Sequence, residues 1–320
     1  MSKVPGNYQD PGKSRDSLPF YKRTFTSFKN PVYRLYYGAM MGQMGAMNMQ
    51  LMARSLLVYR LTGSAAILGG VALANALPML FLSVFGGSLA DRVQKKKVML
   101  FGQIGSAIIA LTVGLSLSLG YLSAENEGSW WILMVASALQ GTIMGLMMPS
   151  RQAIIPEIVS DEELMNAVSL NTMGMNVLRI FAPAIAGFTI DAWDFQAVYY
   201  IMTCMFLVAV VFLLFMPNTG KRKISRRNTL IEIKEGLQYV KKEKNIILIL
   251  LYTLMVVILS MPYMLLLPIF ADDILKVAAS GMGILIGVSG IGAIVGSVVL
   301  ASLPNKKRGI LLLLSGLVLG

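Results

Sequence analysis

Apolar runs long enough to form membrane-crossing helices recur along the chain, separated by short polar breaks. They cover Val32–Tyr59, Ala65–Ala90, Val98–Leu122, Trp130–Pro149, Leu164–Ile190, Ala197–Pro217, Ile246–Phe270 and Gly281–Leu303. A helix needs about 20 apolar residues to cross a hydrocarbon layer of roughly 30 Å, and each run supplies them. None alternates in polarity as a barrel strand does. The pattern therefore predicts an all-α membrane protein with eight complete spans. A ninth run begins at Ile310 and meets Gly320 before it is long enough to cross, so it reads as part of a longer helix. Residues 1–31 are polar and contain no apolar stretch, which predicts a tail and not a cleavable signal peptide. Asn218–Asn245 is the one long polar interruption, and it is amphipathic around Ile231, Leu237, Tyr239 and Val240. It reads as a surface helix joining a six-helix bundle (32–217) to the start of a second bundle (246–320), with a regulatory or partner-binding role as the other reading.

Composition agrees with a chain dissolved mostly in lipid, since 56% of residues are hydrophobic and only 14% are charged. A net charge of +12 would point to nucleic acid in a soluble protein, but its placement argues otherwise. The tail through Arg34, the even-numbered connections and the long interruption hold 24 of the 28 Lys and Arg. The opposite connections carry Glu125, Glu127, Asp191, Asp194, Asp272 and Asp273 against Arg60 and Lys276. Basic residues stay on the cytoplasmic side of short loops, so the N-terminus is expected inside a multi-pass protein of the cytoplasmic membrane. The excess charge then faces anionic lipid headgroups, and no nucleic-acid partner is expected. Cys204 lies inside an apolar run and reads as packing.

The break between the second and third runs reads Gly86-Gly87-Ser88-Leu89-Ala90-Asp91-Arg92-Val93-Gln94-Lys95-Lys96-Lys97. It resembles the loop signature of the major facilitator superfamily, G-x-x-x-D-R-x-G-R-R or -K, which stands after span two in that family. Pro149-Ser150-Arg151-Gln152-Ala153-Ile154-Ile155-Pro156-Glu157 and Tyr59-Arg60-Leu61-Thr62-Gly63-Ser64 are similar to the exporter branch that includes enterobactin and macrolide efflux proteins. The resemblance implies a bundle of twelve helices in two halves, of which this chain would hold about eight and part of a ninth. It also implies a conformational-switch loop at Gly87, Asp91, Arg92, Lys95, Lys96 and Lys97, and a monomeric carrier without cofactor that exports a drug-, macrolide- or siderophore-like molecule by proton antiport. Import or facilitated passage of another solute, and a non-transporting receptor, are the alternatives.

Two family signatures are incomplete. Ser137 stands three residues before Gln140-Gly141, where proton-coupled relatives carry an Arg. Of the fifth-span antiporter signature only Pro183 and Gly187 remain, as a kink and a close-packing position.

Polar groups at membrane depth are the candidates for a substrate cavity: Gln43, Asn48, Gln50, Arg54, Gln140, Asn171, Asn176 and Arg179. Arg54 has a second reading, snorkelling to the near membrane surface. Met40, Met41, Met44, Met47, Met49 and Met52 crowd the first run, either as packing or as an adaptable apolar wall. The chain has no His, and no Asp or Glu falls in the middle of a run, so a proton carrier is not visible. No phosphate-cradling G-x-x-x-x-G-K-[ST] loop is present, which argues against a primary pump. Gly287-Val288-Ser289-Gly290 looks like a nucleophile turn, but without a His to activate Ser289 small-residue packing is the better reading, and no enzyme activity is expected.

Overall fold

The computed structural model describes residues 26–126, 128–218, 238–241, 243–260 and 262–302. Among them there is no strand. The helices are α1 (Pro31–Thr62), α2 (Ala65–Arg92), α3 (Lys95–Ser118), α4 (Trp131–Ile158), α5 (Asp161–Phe215), α6 (Lys244–Ser260), α7 (Pro262–Ile269) and α8 (Ala279–Ser302), with a π-helical turn Phe270–Leu275 after α7. The expectations for residues 1–25, for the amphipathic stretch 219–237 and for the ninth run lie outside the described residues.

Local chemistry explains where α1 starts and stops. The Asn30 side chain accepts from the Val32 and Tyr33 N–H groups, Pro31 opens the helix, and Gly63 closes it at φ 59 in the left-handed region. Ser64 then caps α2 through the Ile67 N–H, so two helices are joined by a two-residue turn.

At 55 residues α5 would run about 80 Å as one helix, more than twice the hydrocarbon thickness. It is broken at Asp194, where φ is 70 and ψ is 175, and the Asp194 carboxylate accepts from the Phe195 N–H at 2.7 Å. Two limbs result, matching the fifth and sixth apolar runs.

Six helical stretches among the described residues are long and apolar enough to cross a membrane, with α5 counted once. α1 is not one of them by hydropathy, because Gln43, Asn48, Gln50 and Arg54 dilute its apolar run. It packs among the others with Tyr33, Tyr36, Met40, Met49, Met52 and Leu56 almost wholly buried.

α4 corrects one boundary. Pro149 reads as the end of the fourth run, since proline removes a helix donor, yet the helix continues through Pro149 and Pro156 to Ile158. In lipid, neighbouring helices and side chains can satisfy the carbonyls that proline frees, which makes this tolerable. Arg151 is therefore a helix residue and not part of a connection.

Backbones approach closely where the sequence places glycine. A Cβ at Gly86 would stand 2.5 Å from the Gly145 carbonyl oxygen, and one at Gly145 would stand 2.7 Å from that of Met79, so α2 and α4 lie almost in backbone contact. The same occurs between α8 and α5, where a Cβ at Gly283 would stand 2.5 Å from the Pro183 carbonyl and one at Gly187 would overlap that of Ala279. With lipid outside offering no hydrophobic drive, such small-residue contacts are what hold membrane helices together.

Candidate functional site

α1, α2, α4 and the first limb of α5 surround a cavity of about 390 Å³. α1 contributes Met44, Met47, Asn48, Gln50, Leu51 and Arg54, a helical face repeating at intervals of three and four. From α4 come Gln140, Met144, Met148 and Arg151, from α2 Asn75 and Met79, and from α5 Met175, Asn176 and Arg179.

The polar groups differ in how far they are engaged. Arg54 Nη1 donates to Ser137 Oγ at 3.3 Å, so this side chain turns across to α4 and does not snorkel. A guanidinium from α1 thus stands beside position 137. Asn75 Nδ2 donates to the Ser137 carbonyl at 2.9 Å, and Gln140 Nε2 donates to Ser106 Oγ at 3.1 Å. Asn48 spends its amide on the Met44 carbonyl one turn back, at 2.7 Å. Arg151 Nη1 points at the Met44 sulfur, 3.7 Å away. Arg179 has no hydrogen-bond or ion-pair partner among the described residues. A guanidinium carries five N–H donors, so all three arginines retain unused capacity.

Six of the eight residues expected at a cavity line this one: Asn48, Gln50, Arg54, Gln140, Asn176 and Arg179. Two do not. Gln43 is fully buried between α1 and α4, its amide directed at the sulfurs of Met144 and Met147 at 4.0 and 3.7 Å. Asn171 sits about a turn below the cavity on α5 and donates to the Met175 sulfur at 3.6 Å. Depth along a helix places a residue at membrane level but does not say which way it faces. Arg151 was missed because Pro149 seemed to end the run, although Gln140, Met144, Met148 and Arg151 share one helical face. The methionines of α1 divide: Met44 and Met47 reach the cavity, whereas Met40, Met49 and Met52 are packed inside.

The residues expected to form a switch loop lie at one end of the bundle. Lys95 pairs with Glu157 of α4 at 2.5 Å, and Lys96 donates to the carbonyls of Leu214 and Met216 at the C-terminus of α5, where a cation is electrostatically favoured. Lys97 is exposed, and a Cβ at Gly87 would meet nothing within 4 Å, unlike its neighbour Gly86. The side chains of Asp91 and Arg92 lie outside the described set.

The opposite end is fastened differently. Asp191 accepts from the Ala279 and Ser280 N–H groups at 3.0 and 2.9 Å, capping α8. Arg60 holds Asp272 through two nitrogens at 3.0 and 3.1 Å and lies 5.8 Å from the Phe195 ring centre, while the Tyr59 hydroxyl donates to Asp273. Pro183 and Gly187 stand just below, in the tight crossing with α8. Ser289 donates to the Ile286 carbonyl of its own helix at 2.7 Å, and Gly287 and Gly290 pack against Ile180.

A bundle of membrane-length helices with a half-open, polar and methionine-lined cavity between them is the architecture of a multi-pass membrane transporter. The profile of the transmembrane secretion effector family, a branch of the major facilitator superfamily, matches residues 22–318, and the chain belongs to that family. It is 30% identical over 59% of its length to the MFS-type transporter YfiS of Bacillus subtilis, of which it covers 44%. It is 26% identical over 79% of its length to macrolide efflux protein A of Streptococcus pyogenes, covering 62% of that protein. The staphyloferrin A transporter of Staphylococcus aureus is 22% identical over 74% of this chain and 58% of the relative. The chain thus spans about half the length of the curated relatives it matches.

Proposed function

We propose that the chain forms the first bundle (32–217), the linker (218–245) and the opening helices of the second bundle (246–320) of a secondary transporter that exports a small molecule across the cytoplasmic membrane by alternating access. The observation that supports this reading is a cavity lined by α1, α2, α4 and α5, with α8 and the turn before it fastened to α5 and α1 at one end by Asp191, Arg60 and the α5–α8 crossing. On the positive-inside rule the bolted end faces outward and the lysine end faces the cytosol, so the arrangement corresponds to a state closed to the outside. The residues Lys95–Lys97 then lie against anionic headgroups. The N-terminus is cytoplasmic, and the carrier works as a monomer.

Export is favoured over import because relatives are named for macrolide efflux and multidrug resistance. Coupling by proton antiport follows the same analogy. Efflux and susceptibility profiling of cells expressing the gene that encodes this chain, with Asp91→Asn as the paired variant, tests the reading. Efflux of at least one compound, slowed by Asp91→Asn and by collapse of the pH gradient, is expected. Unchanged efflux in the variant removes the switch role of the loop, and no ligand-dependent flux at all favours a receptor. Reporter tags after Asn126 and Asn228 are expected on opposite faces of the membrane, and finding both on one face would overturn the topology.

A further inference from the structure

We propose that the cavity takes a soluble organic anion: an apolar body carrying one or more carboxylate-like groups. The inference rests on the transport reading and names the substrate class of the same cavity. Its walls hold three cations, Arg54, Arg151 and Arg179, and no acidic side chain among the lining residues. Charges at membrane depth are costly unless paired, and none of these three has an ion-pair partner among the described residues. The contacts of Arg54 and Arg151 are a neutral hydroxyl and a sulfur, and Arg179 has none among the described residues. A carboxylate is the partner a guanidinium fork fits best, through two parallel charge-assisted hydrogen bonds.

A cationic solute would meet the opposite situation, three like charges and no counter-charge, in a medium where such repulsion is poorly screened. The rest of the wall also fits an amphipathic anion. Met44, Met47, Met79, Met144, Met148 and Met175 give an adaptable apolar surface for the body of the ligand. Arg151 touches Met44, and Arg54 is rooted ten residues further along α1, roughly 15 Å of helix rise from that contact. They form two stations along the axis, the first toward the lysine end and the second toward the bolted end. A volume of about 390 Å³ is within the range of small-molecule sites.

The test is equilibrium binding of three fluorescent probes that share one body, 1-pyrenebutyrate, 1-pyrenebutyramide and 1-pyrenebutylamine, to the purified chain in phosphatidylcholine nanodiscs at neutral pH. The carboxylate is expected to bind at least tenfold tighter than the amide, and the amine most weakly. Arg54→Gln and Arg179→Gln are each expected to weaken the carboxylate about tenfold, the scale of one charge-assisted hydrogen bond, and to leave the amide unchanged. Arg54→Lys keeps the charge without the fork and is expected in between. A single monodisperse peak on size exclusion shows that each variant is folded.

Amide or amine binding as tightly as the carboxylate, or carboxylate binding indifferent to both Gln variants, overturns the anion proposal while leaving a ligand cavity in place. Failure of all three probes to bind overturns the cavity reading as well. Discs containing phosphatidylglycerol give the last arm: loss of the carboxylate signal there would assign the guanidiniums to a lipid headgroup and overturn the proposal.

Discussion

At the junction of α5 with α8, the Asp191 carboxylate takes two backbone N–H groups, Arg60 takes both oxygens of Asp272, and glycine faces carbonyl across the crossing. Some residues away on the same α5 limb Arg179 faces the cavity, and among the described residues neither Arg179 nor Gln140 Oε1 of α4 has a hydrogen-bond partner. Both regions place polar groups between helices, the junction at a water-exposed end and the cavity deeper in, but among the described residues the first is complete and the second is not. Buried polar groups that are satisfied rigidify, and those left open are costly unless something visits them. The difference separates the fastened end of the molecule from the cavity proposed to meet a ligand. Substitutions at the junction should therefore act on stability and on the closed state, whereas those in the cavity should act on binding.

The largest effect is expected at the crossing itself. In Gly283→Leu the new Cβ would lie 2.5 Å from the Pro183 carbonyl oxygen and 2.9 Å from the Ala184 Cα, both backbone atoms that cannot swing aside. Overpacking of this kind costs about 1–3 kcal/mol or more, and here it would also part α8 from α5. Gly292, two turns and a half along the same helix, has nothing within 4 Å of a built Cβ. Gly292→Ala should be neutral or stabilising by up to about 1 kcal/mol, since alanine restricts the unfolded chain. Thermal unfolding midpoints of the two variants in one detergent make the comparison, and equal destabilisation of both would remove the crossing from the account.

How much of this contrast was readable beforehand depends on which physical signal carried it. Span positions were legible because twenty apolar residues have few uses other than crossing lipid. Pro183 and Gly187 were legible as packing positions because small residues mark close approach, although the partner helix, Gly283 and Gly287 of α8, was not. Polarity at membrane depth pointed to Arg54 and Arg179 but also to Gln43, whose neighbour Met44 reaches the cavity while Gln43 turns away from it. One residue is 100° of helix rotation, and that phase is set by packing against other helices. The Arg60–Asp272 and Asp191–Ser280 contacts link positions about 210 and 90 residues apart, and nothing in local spacing announces them.

A middle-sized effect is expected from Asp191→Ala. It removes an N-cap whose loss typically costs about 1 kcal/mol, read as faster hydrogen exchange in the first turn of α8 with little change at Gln140 in α4. The pH dependence follows from the direction of its shift. Partial burial raises the pKa of this carboxyl, but hydrogen bonds from Ser280 and Ala279, with the nearby Arg60 charge, more than offset it and hold it below the usual carboxylate value. A lowered folded pKa means that the cap is fully present above the ordinary carboxylate range and is lost only as pH falls through the folded value. Protection of α8 should therefore be flat from pH 8 to about 5, and a midpoint near neutrality would show that another group controls the junction.

Arg60→Ala should have the smallest effect, although its ion pair is the most conspicuous contact at this end. The Arg60 and Asp272 side chains keep 36% and 21% of their exposure, and pairs that open to water contribute about 0–1 kcal/mol and fade with salt. Asp191 keeps its two backbone donors when Arg60 is removed, so the cap on α8 survives. The comparison is sharpened by a double-mutant cycle between Arg60→Ala and Asp191→Ala. Coupling of a few tenths of a kcal/mol, shrinking as salt rises, is expected if Arg60 acts on Asp191 only through its field. Coupling well above 1 kcal/mol would mean that the two form one network, and the junction would then have to be read as a single cooperative latch and not as a helix cap with an ion pair beside it.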